Sequence, residues 1–126
     1  MEWMIDKGRP ICPQLEEQIA ARIALGEFAP GEKLRSVRDV ALEAGINPNT
    51  VQKAFSGLEA KGLIYPLAGS GWYVGESMDA AALMLEKLAK EKAESYLRDM
   101  KLIGKTAEEA ARYVLGAQTE SEVNNE

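Results

Sequence analysis

The most informative absence from this 126-residue sequence is histidine, which does not occur at all. Histidine is the commonest metal ligand and the commonest general base near neutral pH, so its absence argues against both kinds of site. The sequence also lacks a clustered carboxylate pair and a phosphate-binding glycine loop of the P-loop or dinucleotide type. We therefore do not expect an enzyme, and we expect neither a metal nor a cofactor.

Cysteine and long apolar runs are also scarce. Cys12 is the single cysteine, so an internal disulfide is excluded, and we expect its side chain to act as a small buried apolar group. No apolar run approaches the length that crosses a membrane, and the N-terminus lacks the apolar stretch of a signal peptide. These features predict a cytoplasmic protein without a membrane partner.

The sequence also has no excess of positive over negative charge. The net charge is −5, and residues 1–77 contain eight Lys and Arg against ten Asp and Glu, while the remainder contains seven against ten. Neither part is basic, which argues weakly against a nucleic-acid partner. A DNA-binding protein of this composition cannot rely on a large nonspecific field and needs its cations clustered on one face.

The order of predicted elements is the main indication of fold. Three helices are predicted, over 13–25, from about Ser36 to the stop at Gly45, and over 47–61. Two short β-type runs follow, over 63–65 and 72–74, joined by a glycine-containing turn. Helices followed by a hairpin, with a tight turn between the second and third helices, predict a winged helix-turn-helix domain over residues 1–77.

The sequence after residue 77 is strongly helix-forming. A first helix from Asp79 is interrupted at Gly104, and Thr106 with Glu109 forms a capping box for a second helix. We expect residues 78–118 to form a two-helix dimerisation region and residues 119–126 to be a polar tail. The alternative is that these helices fold back on their own winged domain. The apolar residues expected to mediate dimerisation are Leu85, Leu88, Ala89, Tyr96, Leu97, Met100 and Val114. The fold class is thus mainly α with a small β-hairpin.

The start of the third helix carries polar residues beside its apolar stripe. In a helix-turn-helix the second helix lies in the major groove and contacts bases and phosphates with its N-terminal residues. Asn and Gln suit adenine edges, Lys suits guanine or phosphate, and Thr suits phosphate. The alternative is an ordinary capped and solvated helix end. The candidate DNA-binding residues here are Asn47, Asn49, Thr50, Gln52 and Lys53.

Cations gather before and at the start of the second helix. Arg35 precedes its N-cap Ser36, Arg38 lies in its first turn, and Lys33 lies two residues before Arg35. We favour contact of these residues with phosphate and guanine. The alternative for Arg38 is a surface ion pair with Asp39 or Glu43.

The tip of the predicted hairpin is rich in glycine. Gly69 and Gly71 would let the backbone approach a minor groove closely. The tip has no Arg or Lys, so a contact there would use backbone N–H groups and Ser70.

Taken together, these segments resemble the GntR family of bacterial transcription regulators, continuously from Pro10 to Val74. The shared segments are PICPQLEEQI, GEFAPGEKLRSVRDVA, GINPNTVQKAFSGLEAKGLIY and GSGWYV. The NPNTVQKA segment and the short C-terminal part look most like the YtrA-like branch. The sequence does not reveal a small-molecule effector.

The resemblance implies a homodimeric repressor that binds a palindromic operator. It implies that Arg38 reads guanine, that the residues at the start of the third helix contact bases and phosphates, and that Gly69 to Gly71 enter the minor groove. Two departures stand out: Arg35 replaces the usual proline before Ser36, and Leu67 and Ala68 replace the usual basic residue of the wing. The competing hypothesis is a protein-interaction adaptor that uses the same scaffold without binding DNA.

Overall fold

A computed structural model describes the backbone of residues 2–124 and the side chains of residues 2–118. It contains five helices and one antiparallel hairpin within that range, which confirms the predicted fold class. The elements are α1 (Ile11–Ala24), α2 (Val37–Ala44), α3 (Pro48–Ala60), β1 (Ile64–Leu67), β2 (Gly71–Val74), α4 (Asp79–Leu102) and α5 (Ala107–Asn124). No helix in the described part of the chain is long and apolar enough to span a membrane.

The boundaries of α2 and α3 follow from local capping chemistry. The Ser36 hydroxyl accepts a hydrogen bond from the Asp39 N–H at 3.0 Å, and Gly45 ends α2 in the left-handed conformation with φ 68°. Asn47 caps α3 by accepting from the Asn49 N–H at 2.8 Å, and Pro48 fills the first helical position. The turn between the two helices therefore lies where the sequence predicts it.

The hairpin differs from the prediction by one to two residues in its first strand. Leu63 is buried, and its N–H donates to Leu58 O at 3.0 Å in the turn that follows α3, so β1 begins one residue later, at Ile64. The strands pair from Ile64 with Val74 to Leu67 with Gly71. Residues 68–70 suffice for the turn, which leaves β1 free to extend to Leu67.

A third extended segment, residues 32–34, runs beside β2. The Val74 N–H donates to Glu32 O at 2.9 Å, and the Leu34 N–H donates to Trp72 O at 2.8 Å. Lys33 lies opposite Tyr73 in an antiparallel bridge. This pairing fixes the stretch that leads into α2 against the hairpin.

The core forms where α1, α3 and the hairpin meet. Phe55 of α3 is 1% exposed, and its ring packs in a T-shaped arrangement with that of Trp72 at a centroid distance of 5.5 Å. The largest fully buried side chains are Phe55, Leu15, Ile23, Leu58, Leu63, Val51 and Val74. Burial of this set fixes which face of α3 points inward and which is left at the surface.

The chain forms two compact units, the first ending at Glu86 and the second beginning at Lys87. The first unit includes the start of α4, because Ala81 is buried and Met84 and Leu85 pack against its core. Leu85, which we expected to mediate dimerisation, thus has contacts within the first unit. The change of sequence character at Asp79 coincides with the start of α4, and the first compact unit continues to Glu86.

The second unit contains the end of α4 and all of α5. The Tyr96 hydroxyl donates to Ala110 O at 2.8 Å, and Ala110 is fully buried. The predicted capping box at Thr106 is present, with the Glu109 N–H donating to Thr106 Oγ1 at 3.1 Å and the Thr106 N–H donating to Glu109 Oε1 at 3.2 Å.

Helix α5 extends beyond the expected start of the polar tail. It runs to Asn124, so residues 119–124 of the expected tail are helical. This stretch has no Gly or Pro, and polarity alone does not stop a helix. The last two residues of the expected tail, 125 and 126, lie outside the described residues.

The capping box makes the start of α5 sensitive to acid. The pKa of Glu109 is lowered because the Thr106 N–H and then the Thr106 hydroxyl donate to its carboxylate. A lowered pKa stabilises the folded state at higher pH, and this contribution is lost as the pH falls through the lowered pKa. We expect an NMR titration of Glu109 to show a lower pKa in the wild type than in Thr106→Val. Equal values in the two proteins would contradict this assignment.

Candidate nucleic-acid interface

The polar residues at the start of α3 lie at the surface. Asn47, Asn49, Gln52 and Lys53 are exposed and Thr50 is half-buried, while the apolar stripe of the same helix points into the core. The Asn47 side-chain oxygen is already used in the helix cap, so a ligand would meet its NH₂ group. The amide of Gln52 lies only 3.5 Å from the Ser56 hydroxyl, at the limit of a hydrogen bond. These amides and the lysine are therefore placed to contact another molecule.

Arg38 lies in the first turn of α2, and its side chain is exposed. Among the described residues it has no carboxylate within ion-pair distance, so the alternative pairing with Asp39 or Glu43 does not occur. The guanidinium, with its planar set of donors, is consequently open to an external acceptor.

Arg35 forms an ion pair that the sequence does not predict. Its Nε lies against Glu43 Oε1 in an ion pair, and the Trp3 indole N–H donates to Glu43 Oε2 at 3.2 Å. The Glu43 side chain is only 18% exposed, so the Arg35 guanidinium compensates a largely buried charge. Arg35 thus fixes the segment before α2 through its ion pair, at the position where the family that the sequence resembles usually has proline. Ser36 likewise uses its hydroxyl for the helix cap.

Trp3 belongs to the N-terminal segment, which precedes α1 in the sequence and packs alongside it. The Met4 N–H donates to Gln18 Oε1 at 3.0 Å, and Gln18 Nε2 donates to Met4 O at 2.7 Å. Arg22 lies over the Trp3 ring at 4.3 Å from its centroid. The sequence does not predict the contact between Trp3 and Glu43, because the two residues are forty positions apart and no local pattern connects them.

The wing tip has the backbone conformation that its glycines allow. Gly69 has φ 76° and Gly71 has φ 133°, in the region that side chains rarely adopt. The Ser70 hydroxyl contacts the Tyr73 hydroxyl, and the Tyr73 ring stacks on Tyr65 at a centroid distance of 5.9 Å. Ser70 is exposed, but its hydroxyl is already engaged within the hairpin.

Cys12 is only partly buried, whereas the sequence predicts a buried side chain. Burial, and then the nearby charge of Glu16, raises the pKa of its thiol. A raised pKa keeps the thiol protonated at neutral pH, so Cys12 lacks the thiolate character of a nucleophile.

Comparison with known proteins places this geometry in a family. A model described as bacterial regulatory proteins, gntR family, matches residues 13–74, from α1 through β2. The HTH-type transcriptional regulator YhcF of Bacillus subtilis (strain 168) is 34% identical over 109 residues, which cover 86% of this chain and 90% of that protein. The chain belongs to the GntR family.

Two further likenesses support this assignment. The HTH-type transcriptional repressor YtrA of Bacillus subtilis (strain 168) is 43% identical over 68 residues, or 54% of this chain and 52% of that protein, in agreement with the predicted YtrA-like branch. A GntR family transcriptional regulator from Listeria monocytogenes superposes with a TM-score of 0.75 at 30% identity, covering 89% of this chain and 98% of that one. This GntR-family chain is therefore a DNA-binding transcription regulator with a winged helix-turn-helix.

The hydrogen bond between Trp3 of the N-terminal segment and Glu43 of α2 can be tested by measuring the stability of variants of this GntR-family protein. Trp3→Phe removes the indole N–H that donates to Glu43, and we expect it to lower the free energy of unfolding by about 1.5 kcal/mol. Denaturant unfolding of Trp3→Phe, Glu43→Ala and the double variant measures the coupling between the two positions. Strictly additive losses would contradict a direct link between these side chains.

Proposed function

We propose that this GntR-family protein is a homodimeric repressor that binds a palindromic operator. The observation that carries the proposal is the exposed, unpaired guanidinium of Arg38 together with the surface amides and lysine at the start of α3. Arginine pairs bidentately with guanine, and asparagine and glutamine pair with adenine, so this set matches the chemistry of the major groove. The printed name of the related YtrA, a transcriptional repressor, supports the direction of regulation.

Individual contacts in this proposal differ in role. Asn49, Thr50, Gln52 and Lys53 would contact bases and phosphates from the start of α3, and Asn47 would contribute its amide N–H groups. Arg38 would read guanine from α2. The backbone of Gly69 to Gly71 would approach the minor groove. Arg35 and Ser36, which are engaged in the ion pair and the helix cap, would act mainly by fixing the start of α2.

The proposed role of Arg38 can be tested on an operator obtained by selecting bound genomic fragments. Arg38→Ala should cost about 1–3 kcal/mol of binding free energy at the operator and less at unrelated DNA. Arg38→Lys is the matched control, because it keeps the charge but loses the bidentate geometry. If Arg38→Lys binds the operator as tightly as the wild type, Arg38 contacts phosphate and does not read guanine.

The proposal of a dimer is supported by an apolar surface on the second unit. Leu97, Val114 and Leu115 are 40%, 51% and 62% exposed, and they line one groove with Ala93, Tyr96, Ala107 and Ala111. Contiguous exposed apolar surface of this kind is typical of an association site. Pairing with the same surface of a second chain would supply the two recognition helices that a palindrome requires, for half-sites about one helical turn apart.

The dimer proposal predicts a change in oligomeric state. Val114→Lys should place a charge in the apolar groove and shift the protein from dimer to monomer in analytical ultracentrifugation, because the charge would be desolvated on pairing. Leu25→Lys is the control, since Leu25 is 76% exposed but lies at the end of α1. A wild-type protein that sediments as a monomer at all concentrations would refute the dimer.

A further inference from the structure

The wing of this protein has no positive charge of its own, yet a cation from another segment lies against it. Residues 66–74 contain no Lys or Arg. Lys33, in the extended segment before α2, is bridged to Tyr73 of β2. The pairing of residues 32–34 with β2 therefore determines where the Lys33 side chain begins.

The side chain of Lys33 runs across the backbone of Gly71. A Cβ atom at Gly71 would lie 3.2 Å from Lys33 Cε and 3.9 Å from Lys33 Nζ. The missing side chain of Gly71 thus leaves a surface on which the lysine stem packs, with the ammonium at the start of β2. Gly71 also has φ 133°, a backbone conformation that favours glycine at this position.

The ammonium of Lys33 is not neutralised within the described part of the chain. No carboxylate there lies within ion-pair distance of it. The adjacent carboxylate of Glu32 instead accepts a hydrogen bond from the Ala29 N–H at 2.6 Å. Lys33 is exposed, and its charge is therefore free to meet an anion.

We propose that Lys33 is the cation of the wing and binds a DNA phosphate beside the groove that the wing enters. The wing usually has a basic residue where this chain has Leu67 and Ala68. Lys33 thus supplies that charge from the strand next to the wing and not from the wing tip. This inference rests on the proposed function, because it requires the wing to approach DNA. Phosphate is the expected ligand, since an ammonium is a point charge that suits an oxyanion without reading sequence.

The assignment can be tested by the salt dependence of DNA binding. The slope of log K against log salt concentration is negative, and each phosphate neutralised by a lysine increases its magnitude by about 0.9. We expect Lys33→Gln to reduce the magnitude of the slope by about one and to weaken operator and unrelated duplexes by a similar factor. Lys87→Gln, the same chemical change on α4, is the control and should leave the slope unchanged.

A second variant tests whether the charge acts at the wing. Ala68 is exposed in the turn, and Ala68→Lys introduces a cation at the wing tip. In the Lys33→Gln background it should restore the slope. A loss that Ala68→Lys leaves in place would overturn the assignment to the wing.

The outcomes separate this inference from the proposed function. A wild-type protein that binds its operator while Lys33→Gln leaves the slope unchanged would overturn only the role of Lys33. A wild-type protein that binds no duplex DNA at low salt would overturn the operator-binding function, and the role of Lys33 with it. Circular dichroism of each variant confirms that the fold is retained before binding is compared.

Discussion

The packing of one face of α3 on α1 and the hairpin is the constraint on which the rest of the structure depends. Phe55, Val51 and Leu58 are almost fully buried, and Trp72 closes the core against Phe55 from β2. A helix of 3.6 residues per turn that buries this stripe must present the intervening residues to the surface. The exposure of Gln52 and Lys53 follows directly from that burial.

Charge in this protein acts locally because positive charge is not in excess, with 15 Lys and Arg against 20 Asp and Glu. Arg35 and Arg38 are three residues apart, yet Arg35 compensates the largely buried Glu43 while Arg38 remains unpaired. An overall negative chain attracts DNA poorly at long range, so short-range contacts have to supply the affinity. Under these conditions the position of each free cation matters more than the total charge.

Features set by neighbouring residues were predictable from the sequence, and features set by distant residues were not. The caps at Ser36 and Asn47 and the box at Thr106 involve atoms two or three residues apart, and the structure contains all three. The ion pair of Arg35 with Glu43, and the hydrogen bond from Trp3 to Glu43, are not indicated by any local pattern in the sequence. The helix continues to Asn124 through a polar stretch, because polar composition by itself does not end a helix.

The sequence by itself determined the order of the elements, the turn between α2 and α3, the family and the set of polar residues that could contact DNA. Spacing and capping are properties of the chain over a few residues, so they can be read without coordinates. Only the tertiary structure decided which cations are engaged and which are free. The Lys33 side chain lies against Gly71, 38 positions along the chain, and contacts at such separation depend on packing that no local pattern encodes.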